Sequence, residues 1–246
     1  MPSVYLSPSL QEFNSYIGGG NEEYYMNLIA DEMVPYLVAS GITFARNRPD
    51  QTLSQVINES NSYNYDFHLA IHSNASPPDL SGAIRGTDIY YSKTNESSKR
   101  AADIIENNFK AIYPEPSLVK TVETNTLAEV RNVKSANVLI EIAYHDNIED
   151  ATWIRNNIEE IAKNLALSLT EYFDIPLINP TPIRIAAASG PSGFANIQSK
   201  PLLISPIVGE IPNGSELEIV GEFESFYVVK YNNLTGYVLK DSITVN

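Results

Sequence analysis

Residues 137–144 read NVLIEIAY. From Val138 onward Glu141 alone breaks a run that is apolar on both faces of an extended chain. A strand of that character belongs at the centre of a sheet covered on both sides. A carboxylate set among Val138, Leu139, Ile140 and Ile142 is costly to desolvate unless a partner or metal lies nearby. Glu141 is therefore read as functional.

Working outward, VYL (4–6), GITFA (41–45), DFHLAIH (66–72) and GTDIYY (86–91) are further short apolar runs. Amphipathic stretches separate them. Met26, Ala30, Met33 and Leu37 mark one helix, which Pro35 is expected to bend or restart; Ala102, Ile105, Phe109 and Ile112 mark another. A third stretch runs from Ile148 through Ile154, Ile158, Ile161 and Leu165 to Leu169, started by Asn147 as cap with Asp150 three residues on. Strands alternating with helices predict an α/β domain, a mostly parallel sheet with helices on both faces, over residues 1–175.

Three prolines, Pro176, Pro180 and Pro182, predict a stiff linker over 176–184. Residues 185–246 then carry only strands and turns, with LEIVGEF, FYVVKY and LTGYVLKD separated by Asn-Gly and Asn-Asn turns. A small C-terminal all-β barrel is the expected outcome, because closure removes exposed edges.

Composition excludes several classes. A formal net charge of −14 argues against tracking nucleic-acid phosphates and against an electrostatic hold on a membrane. With no cysteine, disulfides, a thiolate nucleophile and cysteine metal sites are out. Fifteen tyrosines suit either core positions or surfaces that meet sugars and peptides. The N-terminus shows no signal peptide, so trimming or another export route is expected. There is no Gly-x-Ser-x-Gly elbow, His-Glu-x-x-His or phosphate-binding Gly-Lys-Ser/Thr loop.

Ligands of an open parallel sheet collect at the carboxyl ends of its strands. The turn SPSLQ (7–11), His72 closing its strand, and Glu141 all fall there, and GGGNEE (18–23) delivers Glu22 and Glu23 to a helix start. Imidazole and carboxylate in one crevice are the parts of a zinc hydrolase, with a further carboxylate to move the proton. Each has a structural reading too: His72 as a satisfied structural histidine, Glu22 and Glu23 as acids favouring a helix N-terminus. His68 and His72 are about 13 Å apart along one strand face, too far to share a metal. His145 either meets substrate or orients the cap at Asn147.

These pieces, in this order, resemble the zinc-dependent N-acetylmuramoyl-L-alanine amidases of bacterial cell-wall turnover and phage lysis. GGGNEEYYMNLIADEMVPYLVASGITFARNRPD, DFHLAIHSNA and NVLIEIAYHDN carry the resemblance. It implies His72 and Glu22 as zinc ligands, with Glu23 one position away, and Glu141 as the catalytic carboxylate. Asn74, His145 and Arg131 are the implied substrate contacts. The implied reaction is cleavage of the amide between N-acetylmuramic acid and the stem-peptide L-alanine. The implied partner is bacterial peptidoglycan, acted on by a monomer outside the cell or in the wall.

One departure stands out. The family places a histidine ligand in the opening turn, where this chain has Leu10 and Gln11. Leucine cannot bind a metal, so Gln11 is the expected third ligand, with Glu12 and Asn14 as other stand-ins. The alternative is a non-catalytic peptidoglycan-binding protein with a degenerate metal site. The tail resembles a bacterial Src-homology-3-like domain, with Tyr227, Tyr231 and Tyr237 as groove candidates.

Overall fold

A computed structural model of the chain describes residues 1–180, 184–199, 202–223 and 225–245. Pro182 and the end of the expected linker lie outside them. The first unit runs β1 (Ser3–Pro8), α1 (Glu22–Ala39), β2 (Thr43–Arg46), α2 (Leu53–Ser62), β3 (Phe67–Asn74), β4 (Thr87–Ser92), α3 (Glu96–Phe109), β5 (Val119–Thr124), α4 (Ala128–Asn132), β6 (Ala136–Tyr144), α5 (Ile148–Asn156) and α6 (Ile158–Tyr172). The sheet order is β2-β1-β3-β6-β4-β5. β6 is central, as its two apolar faces require, and β1, β2, β3 and β6 run parallel, whereas β4 is antiparallel to β6.

Alternation along the strands divides the two faces. Phe67, Leu69 and Ile71 of β3 join Val4, Leu6, Val138, Ile140 and Ile142 in a large core under α1, α3, α5 and α6. The opposite face carries His68, Ala70, His72, Leu139 and Glu141 and is covered, among the described residues, by the short helices α2 and α4. Polar strand residues thus emerge beneath a thin roof.

Four local expectations change. α1 passes Pro35 without interruption, because Val34, Pro35 and Leu37 are buried and packing holds the helix on either side of it. The stretch expected as one helix from Ile148 splits at Asn157, whose side-chain amide donates to the Trp153 carbonyl at 2.7 Å and competes with helix continuation. Asp150 does not close a capping box. Asn147 Oδ1 accepts from the Glu149 and Asp150 amides, and the Asp150 carboxylate instead accepts from Gly86, Tyr144, Tyr113 and Arg85. Edge strand β5, VKTVET, was not anticipated because only Val119 and Val122 are apolar, three apart, which breaks the alternation of a strand.

The second unit comprises β7 (Arg184–Ala188), β8 (Phe194–Gln198), β9 (Ile207–Pro212), β10 (Glu216–Phe223), β11 (Phe226–Tyr231), β12 (Leu234–Leu239) and β13 (Ile243–Val245), an antiparallel sheet of order β13-β7-β10-β11-β12-β8-β9. One core cluster draws residues from all seven strands, the packing of a sheet rolled on itself. Asn232 and Asn233, with φ of 47° and 67°, make the tight turn between β11 and β12.

This unit docks on α1. Val34 packs with Val220, Phe226, Val228 and Tyr237, and a Cβ at Gly221 would stand 2.9 Å from the Val34 side chain. At the centre Arg46, 1% exposed, meets Asp31 at 2.5 Å and also donates to Asn27 and to the Tyr237 hydroxyl. The Tyr237 hydroxyl in turn donates to Asp31 at 2.7 Å. Burial pushes the Asp31 carboxyl up to about 6, even with Arg46 and Tyr237 pulling the other way. Tyr237 is therefore a docking residue and not part of a binding groove. Tyr227 and Tyr231 stay partly exposed, Tyr227 under the Arg184 and Lys240 side chains.

Breaking a buried ion pair by removing one partner strands the other charge. Arg46→Met is expected to lower stability by about 3–5 kcal/mol, and Tyr237→Phe by about 1–3 kcal/mol. Urea denaturation checks both, and losses below about 0.5 kcal/mol would show that the network does not hold the units together.

Candidate active site

The opening turn is fastened before it reaches the cleft. The Asn47 amide donates to the Pro8 carbonyl at 2.7 Å, Ser9 N–H to Ile71 at 2.9 Å, and Gln11 N–H to Ser9 Oγ at 3.1 Å. Three successive glycines, Gly18, Gly19 and Gly20, take φ of 89°, 108° and 81°, a run that side chains rarely adopt. They bring Asn21 to cap α1, its Oδ1 accepting from Tyr24 N–H at 2.8 Å.

That entry places Glu22, 1% exposed, in the site. Its Oε1 stands 2.9 Å from His72 Nδ1, and its Oε2 accepts from Asn14 Nδ2 at 2.5 Å. Glu23 turns toward Asn27 on its own helix. Of the two acids, Glu22 is the one beside His72. The Gln11 amide completes the group, with Nε2 3.4 Å from His72 Nδ1 and Oε1 accepting from Asn14 at 3.2 Å. Burial alone would raise the Glu22 carboxyl, but His72, Asn14 and Ser9 hold it below its ordinary range.

The other imidazole nitrogen, His72 Nε2, lies 3.3 Å from Glu129 Oε2. Glu129, on α4 and 4% exposed, also has Oε1 3.2 Å from His68 Nε2 and accepts from Ser7 Oγ at 2.5 Å. The two histidines, too distant to share a metal, share a carboxylate. Burial would depress His72, yet hydrogen bonds to Glu129 and Glu22 raise it well above its ordinary value. Glu129 was not anticipated: a five-residue helix is too short to show periodicity, and the one cue was an acid between Leu127 and Val130.

Glu141 is the register neighbour of His72 across the β3–β6 pair. Its side chain opens partly onto the cleft, while Oε2 is enclosed without a hydrogen-bond partner. Burial pushes its carboxyl up to about 7; His72 opposes this, and Glu22, Asp88 and Glu129 add to it. The cleft, about 450 Å³, is lined by the polar Gln11, His72, Glu129 and Glu141 and by the apolar Leu10, Leu53, Val56, Leu127 and Leu139. A larger space of about 750 Å³ between α1 and the C-terminal unit contains no histidine.

None of the three expected substrate contacts lines this cleft. Asn74 donates to Asp88 at 3.2 Å. His145 is buried, its Nδ1 2.9 Å from the Ser73 carbonyl and its ring stacked on Tyr16, so it orients the chain between β6 and α5. Arg131 is exposed and bonds Asn132.

Residues 13–171 match the family of N-acetylmuramoyl-L-alanine amidases, and this is more than half of the chain. The chain belongs to that family. Residues 193–244 match the bacterial SH3 domain. The amidase domain is similar in fold to the catalytic domain of CwlV, an amidase from Bacillus (Paenibacillus) polymyxa var. colistinus. That match has 21% identity and a TM-score of 0.61 and covers 72% of this chain and 100% of that one. An amidase from Clostridium difficile 630 matches at 16% identity and TM-score 0.63 over 70% of this chain and 97% of that one. The catalytic domain of the CD27L endolysin, which targets Clostridia difficile, matches at 18% identity and TM-score 0.57, over 70% and 98%. A search of curated proteins finds no match. The family match begins at Phe13, so the unusual turn at Leu10 and Gln11 lies just outside it.

The donor set for a metal is sparse. Among the described residues no three His, Asp or Glu side chains converge at metal-binding spacing. Gln11, Glu22 and His72 do converge, giving one imidazole, one carboxylate and one neutral amide. Charge argues for a cation: Glu22, Glu129 and Glu141 act on a single imidazole, and Glu141 Oε2 has no partner. The set fits a divalent ion, with Gln11 as its weakest member.

For the metal-free protein the sign of the pH dependence follows. A folded carboxyl near 7 against an ordinary 4.5 binds more protons than the unfolded one between those values, so stability falls as pH rises through that window. Glu141→Gln is expected to be more stable than the parent at pH 8, with the gap vanishing below about pH 4.5. Denaturation across pH checks this; an equal or smaller stability at pH 8 would contradict it.

Proposed function

We propose that the chain hydrolyses the amide joining the lactyl group of N-acetylmuramic acid to the stem-peptide L-alanine, with zinc as cofactor. The observation that carries the reading is His72, flanked by Glu22 and Gln11, with Glu141 beside it at the strand ends of an amidase-family domain. His72 Nδ1, the Glu22 carboxylate and the Gln11 amide would hold the ion. Zinc there would supply Lewis-acid polarisation of the scissile carbonyl and of a water molecule. Glu141 takes the proton from the attacking water and returns it to the departing L-alanine nitrogen. A carboxyl already raised by burial is suited to both halves of that transfer. The apolar lining of Leu10, Leu53, Val56, Leu127 and Leu139 would meet the methyl-bearing lactyl and alanyl groups and thin the water around the scissile bond.

The bacterial SH3 domain would hold the enzyme on the wall through specific contacts, since a net charge of −14 is repelled by anionic wall polymers. The site of action is then outside the cell or in the wall. Among the described residues no helix is long and apolar enough to cross a membrane.

A second reading, a wall-binding protein without turnover, draws on the missing imidazole at Leu10 and Gln11. Metal analysis of protein purified without chelator, with mass spectrometry of digested cell walls, separates the two. The enzyme reading expects near-stoichiometric zinc and new L-alanine N-termini. It also expects Glu141→Gln to lose at least about 100-fold in kcat with zinc content unchanged. Absence of both zinc and L-alanine N-termini would leave the wall-binding reading.

A further inference from the structure

We propose that Glu129 is the positioning residue that readies His72 for the metal: it pins Nε2–H and thereby leaves Nδ1 as the nitrogen for the ion. The inference rests on the zinc reading above. An ionised carboxylate only accepts hydrogen bonds. Glu129 Oε2 lies 3.3 Å from His72 Nε2, on the side of the ring away from Glu22 and Gln11, which makes it the acceptor for Nε2–H. Nδ1 faces Glu22 Oε1 at 2.9 Å and the Gln11 side-chain nitrogen at 3.4 Å, so an ion held by Glu22 and Gln11 would meet the ring at Nδ1 while Nε2–H stays on Glu129.

Glu129 is itself held from three sides. Ser7 Oγ donates to its Oε1 at 2.5 Å, and His68 Nε2 stands 3.2 Å from the same oxygen. His68 is fully buried, stacked on Tyr5 at 5.4 Å between centroids, with Nδ1 2.9 Å from Ser60 Oγ. Next along α4, Val130 packs on Ala70 and Leu139. This line of contacts, from α2 through His68 and Glu129 to His72, fixes the orientation of the ring.

The need for it follows from the opening turn. With leucine and glutamine where the family has imidazole, the ligand set contains a single imidazole. A carboxylate behind that ring raises its donor strength and adds negative charge. Because it sits on the far side of the ring from Nδ1, it does so without occupying a coordination position.

The test is zinc affinity, measured by competition with a chromophoric chelator using zinc alone. Glu129→Gln, close to isosteric, and Glu129→Leu are each expected to bind zinc about 10–100-fold more weakly than the parent, with unchanged far-ultraviolet circular dichroism. Ser60→Ala, which removes only the outer bond to His68, is expected to leave affinity nearly unchanged. Affinities of both Glu129 variants equal to the parent's overturn the inference while the zinc reading stands. An equal loss in Ser60→Ala also overturns it, since general packing would then be the cause. A parent protein that takes up no zinc overturns both.

Discussion

The cleft depends on one imidazole held between two buried carboxylates. Glu22 reaches His72 from the N-terminus of α1 and Glu129 reaches it from α4, so two helices on opposite sides of the sheet meet at a single ring. Neither contact forms unless β1, β3 and β6 are in register, because Ser7, His72 and Glu141 come from those three strands. The glycine run, the Asn21 cap and the Asn14 bridge all serve to bring Glu22 to its place.

The site pays for this arrangement in stability. Glu141 stands beside the ring with one oxygen unpartnered and its ionisation opposed by burial and neighbouring acids. Elsewhere the chain neutralises its buried charges. Asp150 accepts from Arg85, Tyr113 and two backbone amides, and Asp31 is matched by Arg46 and Tyr237. Asp31 also leaves one oxygen unpartnered, but Arg46 and Tyr237 meet the other; Glu141 has no Lys or Arg beside it among the described residues, and that marks where chemistry takes precedence over folding. The Arg46 network has a second consequence: it fixes the C-terminal unit against the back of α1, whose front end carries Glu22. The C-terminal unit and the cleft are then joined through one helix.

Much of this was legible in the residues. NVLIEIAY announced the central strand and its odd carboxylate, and the alternation in DFHLAIH placed both histidines on one face. Glu22 and His72 could be paired only through the resemblance, since they lie 50 positions apart. Glu129 was hidden because its helix is one turn long and its partners, Ser7, His68 and His72, are distant in sequence. Tyr237 was misjudged for a related reason: a Gly-Tyr-Val strand reads the same whether its tyrosine faces ligand or a neighbouring domain, and only Arg46 and Asp31 decide. The partners of His145 and Asn74, Ser73 and Asp88, were hidden from the sequence in the same way.

The central claim is that His72, Glu22 and Gln11 form a working metal site although the opening turn carries no histidine. X-ray absorption at the zinc edge of the loaded protein counts imidazoles directly, and the chain has three histidines in all. The account predicts a first shell of nitrogen and oxygen donors with the outer-shell scattering of one imidazole, abolished in His72→Ala. Two or more imidazoles, or an unchanged spectrum in His72→Ala, would place the metal elsewhere and contradict it.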